Sequence, residues 1–240
     1  MVIAATSVPS RPTTTAAGTA PPSKTIVESS EAIAVLNTLA IKGRAPMTGY
    51  SRAQFGPAWP DISGCDERNL TLRRDLTAIA MRDSCIVASG TLVSPYTGGT
   101  ISFVRGPNSA AVQIDHIVAL GDAWQTGAQY WTATTREAFA NDPIELLAVD
   151  AHSNEQKGDS DAASWLPAKK AFRCTYVSLQ VDVKARYRLW VTQAEHDAIA
   201  NILAGCAGGT IQTSTASTPT RSDVATPVAP APTPPQTPTT

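Results

Sequence analysis

The sequence predicts an α+β domain between unstructured ends, and three observations carry that prediction. Apolar residues at the start of the folded part and through its last third recur at helical spacing. Between them lie short apolar or alternating runs separated by Pro, Gly and Asn, which read as strands and turns. Outside them, residues 1–27 and 207–240 are dominated by Ala, Thr, Ser and Pro. Such segments bury too little apolar surface to offset chain entropy and are expected to be disordered. The folded domain is therefore expected over 28–206, a usual length for one core.

Glu31–Ile41 reads as a helix behind Ser29-Ser30, a plausible N-cap pair. Residues 44–64 are rich in Gly, Pro and aromatics (Tyr50, Phe55, Trp59) and read as an ordered loop packed by its rings. Asn69–Met81 reads as a helix, with Leu70, Leu72, Leu76 and Ile79 among charges. Cys85–Val93 and Thr100–Val104 have strand character and flank the turn signal Pro95-Tyr96-Thr97-Gly98-Gly99, so a hairpin is expected there. Another apolar strand covers Val112–Ile117. Ala119–Gln129 and Thr135–Ala140 suggest short helices, Ile144–Val149 a strand, and Ser153–Lys157 the start of a helix. Helices over 168–190 and 193–205 close the domain, the second with Thr192 as N-cap and Glu195 at the capping-box position.

The formal net charge of −1 lacks the strong basic excess common in nucleic-acid binders, although clustered charge matters more than the total. Arg68, Arg73 and Arg74 form one basic cluster and Lys169, Lys170 and Arg173 another, each readable as a solvated helix face. No run approaches a membrane span, and no secretion signal is visible at the start of the chain. The four cysteines, Cys65, Cys85, Cys174 and Cys206, include no CxxC pair, which argues against a zinc knuckle. Their even number and wide spacing fit two disulfides and a secreted or extracytoplasmic protein, with four buried thiols in a cytosolic protein as the alternative. Four cysteines allow three pairings. Cys65–Cys85 with Cys174–Cys206 is favoured, because each bridge would staple one local helical region to itself.

One strand carries the chemistry. Asp115 and His116 lie side by side in the apolar run Val112–Val118, where two ionisable groups cost desolvation unless they are paired or bind a metal. After the next apolar run, Asn154 and Lys157 fall one turn apart on one helix face. An Asp and an Asn offer hard oxygen donors suited to Mg²⁺ or Mn²⁺, and a neutral His beside them is a suitable base near pH 7.

The segments Gln113–Trp124, Phe139–Pro143 and Asn154–Asp159 with Trp165–Pro167 resemble the HNH endonuclease family, in the branch related to the C-terminal region of GmrSD-type restriction enzymes. Arg52–Phe55, Trp59, Gly64–Asn69 and Pro95–Gly98 are also similar to that branch, so the resemblance spans about residues 45–206. It implies a ββα-metal core with added helices and a hairpin, one divalent cation, Mg²⁺ or Mn²⁺, and hydrolysis of nucleic-acid phosphodiesters. By position, His116 is the expected general base, Asp115 and Asn154 the metal ligands, and Lys157 a phosphate or transition-state contact. Asp122 and Trp124 are expected to orient and pack the first motif, and Trp131, Trp165 and Trp190 to lie in the core. Asp159 and Asp161 are expected to cap a following helix rather than bind metal, and His152 to lie on the surface.

The chain departs from the family pattern where a middle Asn would stand, since Glu145 occupies that position. Glu145 could hold His116 by a charged hydrogen bond, add a carboxylate near the metal, or serve structure. The expected function is metal-dependent endonuclease action of low sequence specificity on DNA, with RNA second, by a monomer. Two rivals are an exported binding or structural protein on the same scaffold with a degraded site, and an enzyme acting on another phosphate ester.

Overall fold

The computed structural model describes residues 26–62, 64–206 and 210–212, and its helices and sheets are mixed along the chain as an α+β domain. Strand β1 (Ile26–Glu28) runs directly into helix α1 (Ser29–Leu36), which buries Ala32 and Leu36 on one face and stops short of the expected Ile41. The aromatic loop follows and contains one 3₁₀ turn, Arg52–Phe55, before a small antiparallel pair, β2 (Asp61–Ile62) and β3 (Cys65–Asp66). Asp66 then caps helix α2 (Glu67–Asp75), its carboxylate accepting from the Asn69 backbone N–H at 2.8 Å.

The helix expected to reach Met81 ends at Asp75, and Thr77–Met81 is strand β4. Leu76 is already extended and Ala78 is left-handed, so the helix cannot continue. β4 joins β5 (Val87–Val93) and β6 (Thr100–Val104) in an antiparallel sheet of order β4-β5-β6. The expected hairpin between β5 and β6 is present, turned by Ser94–Gly99.

Strand β7 (Val112–His116) leads to α3 (Leu120–Gln125), shorter than predicted because Gly127 breaks the chain direction at φ +141°. Helix α4 (Ala133–Ala140) is capped by Thr132. Strand β8 (Leu146–Asp150) returns antiparallel to β7, with Asp115 opposite Leu147 and His116 opposite Leu146. Its last residue, Asp150, caps α5 (Ala151–Lys157) through Ser153, so this helix begins two residues before the predicted start. Helices α6 (Arg173–Tyr187) and α7 (Gln193–Gly205) complete the domain, α7 with the predicted Thr192/Glu195 capping box. Strand β9 (Thr210–Gln212) pairs antiparallel with β1. The remainder of the expected disordered ends, residues 1–25, 207–209 and 213–240, lies outside the described residues.

Three buried clusters hold these layers. Leu36, Tyr176, Val181, Ile199 and Leu203 join α1, α6 and α7. Phe55, Trp124, Phe139 and Val183 pack the aromatic loop on α3, α4 and α6. Leu72, Val87, Phe103, Ile114 and Leu146 join α2, the three-stranded sheet and the β7-β8 pair. Of the tryptophans expected in the core, Trp131 and Trp165 are partly buried and pack at the cluster margins, whereas Trp190 belongs to none of the three clusters and lies beside Tyr130 and Lys42. Both favoured disulfides are present: Cys65–Cys85 ties β3 to the segment before β5, and Cys174–Cys206 ties α6 to the end of α7. Among the described residues no helix is long and apolar enough to cross a membrane.

Candidate functional site

A strand sends successive side chains to opposite faces, and that explains how β7 carries two adjacent ionisable groups. Val112 and Ile114 enter the apolar cluster against α2, and His116 follows on their side. Gln113 and Asp115 turn the other way, toward α5. Asp115 and His116 still meet at one opening, a cleft of about 590 Å³ that they line with Asn154, Asp159, Arg52 and Trp59.

His116 is nearly enclosed. Its Nε2 lies 3.0 Å from the Ala140 carbonyl oxygen, and its ring is stacked on Trp59 with an interplanar angle of 10°. A carbonyl oxygen only accepts, so Nε2 carries the proton and Nδ1 keeps its lone pair, a tautomer inferred from the hydrogen bond. Burial, and then the positive charges of Arg52 and Lys157, hold its pKa down at about 3 against 6.5. At neutral pH it is an uncharged imidazole with one acceptor nitrogen.

Asp115 has both carboxylate oxygens engaged. Lys157 Nζ donates to Oδ1 at 2.9 Å, and the Tyr96 hydroxyl donates to Oδ2. Each oxygen retains a second lone-pair direction, so a cation can still be bound. Tyr96 comes from the β5-β6 turn, and Ser94 of the same turn donates to the helix-capping Asp150 at 2.6 Å. One turn therefore fixes both Asp115 and the start of α5.

Asn154, one turn into α5, is oriented by a relay. Glu155 accepts from Gln113 Nε2 at 3.1 Å, which turns Gln113 Oε1 toward Asn154 Nδ2 at 2.7 Å. Asn154 is left with its Oδ1 as the available acceptor of a side chain lining the cleft. The Asp115 carboxylate and the Asn154 carboxamide oxygen line one cleft, and both are hard oxygen donors of the type that Mg²⁺ or Mn²⁺ prefers.

Two expected site residues stand elsewhere. Lys157 is 1 % exposed, does not line the cleft, and spends its ammonium on Asp115 and on the His116 carbonyl at 2.6 Å. It braces the end of β7 from inside the fold. Glu145 makes no hydrogen bond to His116 and lines neither cavity at the site. Its carboxylate accepts from the Val118 N–H at 3.1 and 3.2 Å, and its carbonyl from the Ile117 N–H at 2.7 Å. It is fully buried, which pushes its pKa well above the carboxylate range, and it orders the chain just past His116.

Residues without a predicted role contribute more. Arg52 is exposed, lines the cleft and makes no hydrogen bond or ion pair with the described residues. Trp59 and Tyr96 hold His116 and Asp115 as described. All three fall in segments that resemble the family upstream, and Trp59 also stands out among the loop aromatics and Tyr96 in the turn signal. Asp159, expected to cap the helix that follows it, lines the cleft and accepts from the Gly121 N–H in the first turn of α3, an earlier helix, at 3.2 Å. Only a glycine allows that approach, since a Cβ at position 121 would collide with the Asp159 carboxylate. His152 lies on the surface as expected.

The predicted basic clusters are mostly absorbed by structure. Arg68 donates to the carbonyls of Ser109 and Val112, and Arg74 to those of Pro143 and Leu146. Arg74 also pairs with Asp75, whose carboxylate takes the Ala148 N–H at 2.8 Å, so this pair covers the outer edge of β8. Away from the cleft, the oxygens of Asp122, Asp161 and Glu195 come within 4.8 Å of one another. Lys184 already lies between two of them, 2.8 Å from Asp122 and 2.6 Å from Glu195, and Arg44 binds Asp161 at 2.6 Å. This second carboxylate cluster is an internal ion-pair network.

The profile of the GmrSD restriction endonucleases, C-terminal domain, matches residues 70–202, more than half of the chain. The chain is also 40 % identical over 184 residues to an uncharacterized secreted protein of the fungus Arthroderma benhamiae, covering 75 % of this chain and 87 % of that relative. No solved structure matches the chain.

Proposed function

Because the chain belongs to the family of GmrSD restriction endonuclease C-terminal domains, we propose that it is a secreted, metal-dependent endonuclease of low sequence specificity. Its substrate is DNA before RNA, and β7, β8 and α5 are its ββα-metal core. The observation that carries this reading is the placement of a neutral His116, with Nδ1 unprotonated, on the same cleft as Asp115 and Asn154.

In this reading His116 is the general base. The Ala140 carbonyl fixes its tautomer, the Trp59 ring fixes its plane, and Nδ1 takes the proton of the attacking water. Asp115 and the Asn154 Oδ1 would hold Mg²⁺ or Mn²⁺, which would supply neutralisation of charge on the scissile phosphate and its leaving oxygen. Lys157 and Tyr96 keep Asp115 in place. Glu145 is a positioning residue that shapes the turn after His116, not a proton-transfer group. The disulfides and the secreted relative support export.

Plasmid nicking in the presence of Mg²⁺ or Mn²⁺ tests the reading. The wild type nicks, chelation stops it, and His116→Ala lowers the rate at least about a hundredfold. Nicking that survives the substitution removes His116 from the mechanism. Absence of cutting by the wild type on plasmid and on single-stranded DNA alike leaves the non-catalytic scaffold as the better reading.

A further inference from the structure

His116 stands between two cavities. Beside the polar cleft lies a second one of about 250 Å³, and Arg52, Trp59, His116 and Leu120 line both. The second cavity differs in chemistry. Phe55, Pro57, Ala58 and Ala140 give it apolar walls, and the indole of Trp59 supplies an aromatic edge. Its polar groups sit at few points: the Arg52 guanidinium, and the carboxamide of Asn141. The latter donates its Nδ2 to the Glu137 carbonyl at 2.8 Å and so keeps Oδ1 as an acceptor. Trp59 holds its place with a left-handed backbone, φ +54°, a conformation that a bulky residue adopts only when its surroundings enforce it.

We infer that this second cavity is a nucleobase subsite, taking an unpaired base of the nucleotide adjoining the scissile phosphodiester. The inference rests on the nuclease reading above. A flat heteroaromatic ring fits apolar and aromatic walls, and its exocyclic N–H groups fit a single amide acceptor. The shared wall at His116 puts such a base within one nucleotide of the phosphate in the polar cleft, with the Arg52 charge bridging the two compartments. A base can enter only when it is out of the stack, so the substrate is a single strand or a locally unpaired one.

Two single-stranded DNA 12-mers test this on the intact protein, one with all its bases and one abasic throughout. With Mn²⁺ the base-bearing strand is cut with a kcat/KM about tenfold higher, the difference residing in KM. In EDTA it is bound about tenfold tighter, read by fluorescence anisotropy. Ala58→Leu, at an exposed loop position whose larger side chain fills the cavity, brings both ratios to about one. Equal cutting of the two strands by the wild type overturns the subsite and leaves the nuclease reading standing. No cutting of either strand, with tight binding of the base-bearing one that Ala58→Leu abolishes, upholds the subsite and overturns the nuclease reading. Equal binding without cutting overturns both.

Discussion

Asp115 sits under a tyrosine hydroxyl and a lysine ammonium, and the balance between those contacts sets what a substitution does. A buried ion pair adds little net stability, because desolvation offsets the attraction, yet removing one partner strands the other charge. Lys157→Met is therefore expected to cost about 3 kcal/mol in urea unfolding. Mg²⁺ should narrow that deficit more than it stabilises the wild type, since a divalent ion at Asp115 offsets the stranded carboxylate. A deficit indifferent to metal counts against Asp115 as a ligand. The adjacency of Asp115 and His116 was legible in the sequence because ionisable pairs are rare in apolar strands. The roles of Lys157 and Glu145 were not. Whether an ammonium reaches solvent or turns inward depends on what packs over it, and here the Tyr96 turn and β7 close the space.

At the scale of elements, α1 lies against α6, and Glu31 raises the pKa of Asp182 across that contact, after burial, to about 6 from 3.8. The folded state then holds this proton more tightly than the unfolded chain does. The resulting stability is fully present below pH 3.8 and is lost as pH rises from 3.8 through about 6. Asp182→Asn removes the titration. The variant should match the wild type near pH 4 and exceed it at pH 7 by about 1 kcal/mol, a value discounted because the carboxylate is partly solvated. Equal differences at both pH values would sink the assignment. Most elements could be read from periodicity and caps, as Thr192/Glu195 shows. Thr77–Met81 could not, because Leu76 and Ile79 continue the apolar spacing of α2, and only pairing with β5 makes that segment a strand. The stop of α5 after Lys157, by contrast, has its signal in the sequence, Gly158, which takes φ +51°.

Across the whole molecule, the two bridges close loops with sequence separations of 20 and 32 residues, and loss of either is expected to cost about 3 kcal/mol. Serine pairs at Cys65/Cys85 and at Cys174/Cys206, compared by guanidinium titration, check this. Only the first pair should also slow cleavage, since β2-β3 directly follows the Trp59 loop that plates His116. The Lys157–Asp115 pair has a further consequence for the life of the protein. In many ion-dependent enzymes the empty site is a knot of mutually repelling anions, and the chain needs its ion in order to assemble. Here an internal ammonium already neutralises the acid, so, if Asp115 is a ligand as proposed, the domain would fold and form its disulfides without the ion and bind it afterwards. EDTA-treated protein should accordingly keep its far-UV circular dichroism and a cooperative thermal transition. Collapse on chelation would show that the lysine does not do this.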